Sequence, residues 1–183
     1  MEVTNKQDLK IRKLTLTGLM IAFTFIAGSI IKIPTLNGMI QLGDCMVLLS
    51  AVLLGKKYGF FAAATGMALV DILGGYVLWA PFTFIIKGLV ALTVSIIISK
   101  SKEKGFKTFL FAFILGGIVN VVGYFIGNAI MGGIIVGASK GLLGSMIYAF
   151  SHLFGDIIQT VAGIVIALPL SKMVYKFKTK VFN

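Results

Sequence analysis

The sequence predicts an all-α fold: a polytopic membrane protein in which residues 1–183 form one domain, a bundle of six transmembrane helices with both termini cytoplasmic. Three observations predict it. Hydrophobic residues make up 58% of the chain, charged residues 13%, and mean hydropathy is +1.02, whereas a soluble domain is about half apolar and about a quarter charged. Apolar runs long enough to cross a bilayer recur between turn signals. Of the 17 Lys and Arg residues all but Lys32, Lys87 and Lys140 fall in the termini and alternate connections, so the net charge of +11 reads as topology. A nucleic-acid face would need clustered bases with interleaved aromatics on a soluble surface, and no nucleic-acid partner is expected. Cys45 is the single cysteine, which excludes an internal disulfide and a Cys-based zinc site; no metal or cofactor is expected.

Residues 1–13 are polar and basic, and the first span covers 14–33. The basic Lys10-Ile-Arg-Lys13 flank and the small triplet Ala27-Gly-Ser29 imitate a secretory signal, but the apolar run continues past the triplet. Pro34-Thr-Leu-Asn-Gly38 marks a turn, and a short second span, 39–54, is interrupted near its start by Asp44. Gly55-Lys-Lys-Tyr-Gly59 turns the chain into a third span, 60–73. The remaining spans are 80–99, 106–130 and 143–171. In this arrangement Lys6, Lys10, Arg12, Lys13, Lys56, Lys57, Lys100, Lys102, Lys104, Lys107, Lys172, Lys176, Lys178 and Lys180 share one side, leaving Lys32, Lys87 and Lys140 elsewhere. Connections 34–41, 74–80 and 131–142 then face outward.

The outer half carries the chemistry. From Asp71 to Lys87 the chain combines two charges, Tyr76, Trp79, a Gly74-Gly75 break and Pro81, and a charge is kept in hydrocarbon for a partner, a cavity or a substrate. The structural alternative is an ion pair of Lys87 with Asp71 or with Asp156. Asn120, Tyr124 and Asn128 recur every four residues, and His152, Asp156, Gln159 and Gly163 nearly so, so each set forms one stripe that must face inward in lipid. Any one of these residues can be explained as interhelical glue. Together they supply more donors, acceptors and rings than packing requires, and point to a small-molecule site.

The segments Lys32-Ile-Pro-Thr35, Ile40-Gln-Leu-Gly-Asp44, Leu53-Leu-Gly-Lys-Lys-Tyr-Gly59 and Gly74-Gly-Tyr-Val-Leu-Trp-Ala-Pro-Phe-Thr-Phe-Ile-Ile-Lys-Gly88 resemble the substrate-binding S component of energy-coupling factor (ECF) vitamin transporters. The likeness is to the hydroxymethylpyrimidine, pyridoxine and pantothenate branch. It implies a binding subunit that takes a vitamin-like small molecule from outside, in the cell membrane, and works with a transmembrane T component and two ATPases. It implies a lid after the first span, at Pro34, Asn37 and Gly38, and docking on the T component through Gly18 and Ala22, where the family's usual pattern has Ala at both places. Asp71, Tyr76, Trp79, Lys87, Asn120, Tyr124, Asn128, His152, Asp156 and Gln159 are the expected substrate-binding residues. The chain has no phosphate loop of the G-x-x-x-x-G-K-S/T type, in keeping with ATP hydrolysis by a partner.

No enzymatic activity is expected. Gly137-Ala-Ser-Lys-Gly141 matches a nucleophile pattern, but that motif requires a strand-turn-helix elbow. His152 and Asp156 leave a metal under-ligated. A stand-alone facilitator or channel lined by the polar stripes is the competing reading. Lys32, Lys87 and Lys140 balance Asp44, Asp71 and Asp156 in the outer half, so pyridoxine or hydroxymethylpyrimidine is favoured over anionic pantothenate.

Overall fold

A computed structural model describes residues 6–30, 32–35, 38–135 and 141–182, with side chains described for 6–30, 41–132 and 143–182. The elements are α1 (Lys6–Ile30), β1 (Lys32–Thr35), β2 (Gly38–Gln41), α2 (Gly43–Leu73), α3 (Ala80–Lys100), α4 (Phe106–Ile135) and α5 (Gly141–Phe182). Each helix is long and apolar enough to cross a membrane.

Two expectations need correction. The described residues form five helices instead of six, because the expected spans 39–54 and 60–73 belong to one element, α2. Within it only Gly55 leaves helical geometry, at φ 75° and ψ −162°, so Lys56, Lys57 and Tyr58 stay helical where a loop was expected. The glycine suffices to reverse the chain. A Cβ on Gly59 would lie 3.0 Å from the Ser50 carbonyl oxygen and 3.1 Å from Ala51 Cα, although residues so separated in a straight helix stand about 13 Å apart. Gly43 likewise packs on Met67. The second correction is that the chain is not wholly α: β1 and β2 pair antiparallel with Lys32 opposite Gln41 and Thr35 opposite Gly38.

Two helices also outrun their expected spans, α4 reaching Ile135 and α5 reaching Phe182. Helical hydrogen bonding need not stop where the apolar run stops, and the Lys172–Lys180 tail carries α5 on past Pro169.

The α2 hairpin forms the centre of the bundle, with 61% of its apolar window buried against 22% for peripheral α1. Val52, Ala62, Ala63, Ala64 and Met67 are fully buried, and Ala91 and Val94 of α3 and Phe109 and Phe113 of α4 complete the core. The outer faces present Phe23, Ile85, Ile118 and Val165, as a lipid-facing surface should. Small residues let the backbones meet. A Cβ on Gly66 would lie 2.6 Å from Thr24 Cβ and 3.0 Å from the Ile21 carbonyl oxygen of α1, and one on Gly123 would lie 3.0 Å from Ile86. Gly66→Leu is therefore expected to push α1 off the bundle and cost about 1–3 kcal/mol, read as a lower midpoint of thermal unfolding in detergent.

Candidate functional site

Lys87 lies in the second turn of α3 and is completely buried. A lone ammonium there would be prohibitively costly, so its donors must all be used. Its Nζ lies 2.5 Å from Asp44 Oδ1, donates to Asn120 Oδ1 at 2.9 Å, and sits 4.7 Å from the centre of the Tyr124 ring. Asp44 occupies the first turn of α2, where the positive end of the helix dipole favours a carboxylate. Its Oδ2 accepts from Asn120 Nδ2 at 3.3 Å and from Gln159 Nε2 at 3.2 Å. Gln159 Oε1 in turn accepts the Gln41 backbone N–H of β2 at 3.1 Å. Asn120 Nδ2 also reaches Thr160 Oγ1 at 2.8 Å, and that hydroxyl donates to the Asp156 carbonyl oxygen at 2.7 Å. One network thus ties α2, α3, α4, α5 and the hairpin.

Glycines bring the helices to it. A Cβ on Gly163 would lie 2.8 Å from Asp44 Cβ, and one on Gly117 would lie 2.8 Å from Thr160 Cγ2. A void of about 10 Å³ beside Asp44, Asn120 and Thr160 has room for one water at most. The network is therefore close-packed and leaves no room within it for a small organic molecule.

A second layer stands further toward the hairpin end of the bundle. Asn128 Nδ2 donates to Asp156 Oδ2 at 3.1 Å, and the Tyr124 hydroxyl meets Thr83 Oγ1 at 3.2 Å. The polar stripes of α4 and α5 thus meet directly at the Asn128–Asp156 pair. His152 Nδ1 lies 2.9 Å from the Tyr148 carbonyl oxygen and its ring is 4.4 Å from the Tyr148 ring, so its described contacts are on its own helix.

The ion-pair alternative for Lys87 is corrected: its partner is Asp44, not Asp71 or Asp156. The fold-back at Gly55 sets the first turn of α2 beside α3, a neighbour relation that helical spacing alone does not reveal. Asp71 is buried in the last turn of α2. Trp79 packs by its Cζ3, 3.8 Å from a Cβ on Gly127, with its ring 6.2 Å from that of Phe82. Tyr76 is 45% exposed at the rim and is not drawn into the network. Of the expected lid residues, Pro34 lies in β1 and Gly38 opens β2, so the chain reverses within the expected turn segment and flanks it with a paired ribbon; Asn37 lies outside the described residues, as does most of Gly137–Gly141. Gly18 and Ala22 are exposed on the outer face of α1, and a Cβ on Gly18 meets nothing within 4 Å.

Asp44, Thr160, Thr83 and Gln41 were missed as site residues. For Asp44 the signal was present, a charge inside an apolar span. Threonine is common in membrane helices, and a backbone N–H carries no sequence signal at all.

The chain matches the family model described as ECF-type riboflavin transporter, S component, over residues 8–176. A protein of Pyrococcus woesei, described as an uncharacterized protein in gap 3' region, is 37% identical over 136 residues, which is 74% of this chain and 82% of that one. The crystal structure of the S component for biotin from an ECF-type ABC transporter is similar at a TM-score of 0.61 and 25% identity, covering 93% of this chain and 95% of that chain. S components are substrate-binding transport subunits embedded in the membrane. With a match running through all five helices, the chain belongs to the ECF-type riboflavin transporter S-component family, and it is a membrane transport subunit and not an enzyme.

Proposed function

We propose that this subunit captures a neutral, planar heteroaromatic vitamin at the hairpin end of its bundle and hands it to a T component driven by two ATPases. The carrying observation is the Lys87–Asp44 pair. Lys87 is the cation buried among the helices here, and Asp44 already neutralises it, while Lys32 and Lys140 are balanced in number by Asp71 and Asp156. With these charges in formal balance, a ligand carboxylate gains no net positive charge at this end of the bundle. Riboflavin, named in the description of the matching family, is uncharged and is the first candidate; pyridoxine and hydroxymethylpyrimidine, the sequence-based choices, are smaller members of the same class. Biotin and pantothenate carry a carboxylate and fit less well. Asp156 and Asn128 would read ring nitrogen and hydroxyl groups, and Tyr124 or Trp79 would cover a ring face. Mass spectrometry of whatever stays bound after mild detergent purification is expected to find a neutral heteroaromatic; a carboxylate vitamin in its place would overturn the reading.

In the membrane the arms of α2 are read as separate passes, giving six crossings with both termini cytoplasmic. The reversal at Gly55 and the one-sided distribution of Lys and Arg support this. The hairpin β1–β2 is the proposed lid, tied through Gln41 to Gln159.

Docking is assigned to Gly18 and Ala22, which share one exposed face of α1. Gly18→Leu or Ala22→Trp is expected to abolish co-purification with the T component and uptake, while ligand affinity of the isolated subunit stays within about twofold because both sites are remote from the network. Normal assembly of these variants would remove α1 from the docking role.

A further inference from the structure

We propose that the end of the bundle opposite the hairpin holds the phosphate headgroup of an anionic phospholipid, in a cradle formed by Lys13 of α1, Lys104 of the α3–α4 connection and Lys178 of α5. All three are half-buried. Lys104 and Lys13 stand close enough to Lys178 for their charges to act on it. Among the described residues none is held by an acid. Lys178 Nζ donates to the Val52 carbonyl oxygen at 3.0 Å, just before the Gly55 reversal. Lys104 Nζ donates to the carbonyl oxygens of Ile98 and Ser101 at the end of α3. Lys13 Nζ lies 5.7 Å from the centre of the Phe182 ring, and neighbouring Arg12 donates to the Val181 carbonyl oxygen at 3.5 Å.

The acids nearest in sequence, Asp8 and Glu103, form no ion pair with them; among the described residues the single salt bridge is Lys87–Asp44. Backbone carbonyls and a ring therefore gather like charges that repel one another. Among the described contacts each ammonium keeps at least one N–H for a phosphate oxygen. The level is that of a headgroup and not of a soluble partner: Lys13 directly precedes the apolar run of α1, and the Tyr175 and Phe182 rings flank the cluster as interfacial aromatics do. Cations at such a boundary attract anionic lipid, each by roughly fivefold in occupancy. The inference stands apart from the identity of the vitamin.

Native mass spectrometry of the full chain in micelles carrying equal phosphatidylglycerol and phosphatidylcholine tests it. Wild type is expected to retain phosphatidylglycerol selectively, and the triple variant Lys13→Gln, Lys104→Gln, Lys178→Gln to lose about a hundredfold of that preference. Lys56→Gln with Lys57→Gln, exposed positions beside the Gly55 reversal, should keep it, and excess inorganic phosphate should not displace the lipid. Should the triple variant fail to fold, Lys13→Gln, which removes no described hydrogen bond, is expected to lower the preference roughly fivefold. Equal retention of the two lipids by wild type, undiminished preference in the triple variant or in Lys13→Gln, equal loss in the Lys56/Lys57 variant, or release by phosphate would each overturn the proposal.

Discussion

Lys87→Met is expected to destabilise the detergent-solubilised subunit by about 3–5 kcal/mol, since it leaves Asp44 buried and charged with no counter-ion. Asp44 is 6% exposed and Lys87 is not exposed at all, so water cannot rescue either. Adding Asp44→Leu to the same chain is expected to recover at least half of the loss, because removing both charges removes the desolvation cost as well. Recovery would be incomplete: Asn120 keeps Thr160 and Gln159 keeps Gln41, but each loses its bond to Asp44. Unfolding midpoints of the two single variants and the double variant decide the matter. A Lys87→Met protein as stable as wild type would mean that the network does not hold these helices together.

The second large effect concerns Asp156. Among the described residues only its Oδ2 is engaged, by Asn128 at 3.1 Å, which leaves the other oxygen to accept from a ligand. Asp156→Ala is expected to weaken riboflavin binding about tenfold to a hundredfold, the loss of one charge-assisted hydrogen bond. Asp156→Asn should lie between. Titration calorimetry of the isolated subunit reads both, and unchanged affinity in Asp156→Ala would move the ligand away from the Asn128–Asp156 layer.

Much of this arrangement was legible in the sequence because bilayers impose strong rules. Apolar run lengths located the helices, and four-residue spacing put Asn120, Asn128 and Gln159 on inward faces, where they are 3%, 3% and 7% exposed. The illegible parts have identifiable causes. Strands of four residues, one containing Pro34, carry too short a pattern to register as alternation. A single glycine reverses α2, so a connection expected to span Gly55–Gly59 shrank to one residue. Which carboxylate meets Lys87 depends on that reversal, hence Asp44 was passed over for Asp71 and Asp156. Tyr76, in the Gly74–Trp79 turn, is 45% exposed and lies outside the Lys87–Asp44 network, a placement that helical spacing does not address.

The central claim, capture of a neutral heteroaromatic vitamin by the isolated subunit, is tested most directly by titration calorimetry of the solubilised protein with riboflavin, pyridoxine, hydroxymethylpyrimidine, biotin and pantothenate in parallel. The account predicts tight one-to-one binding of riboflavin or one of the two smaller neutral heterocycles, with biotin and pantothenate weaker by at least about a hundredfold because the site carries no net positive charge. Preferred binding of either carboxylate vitamin, or no binding of any of the five, would contradict it.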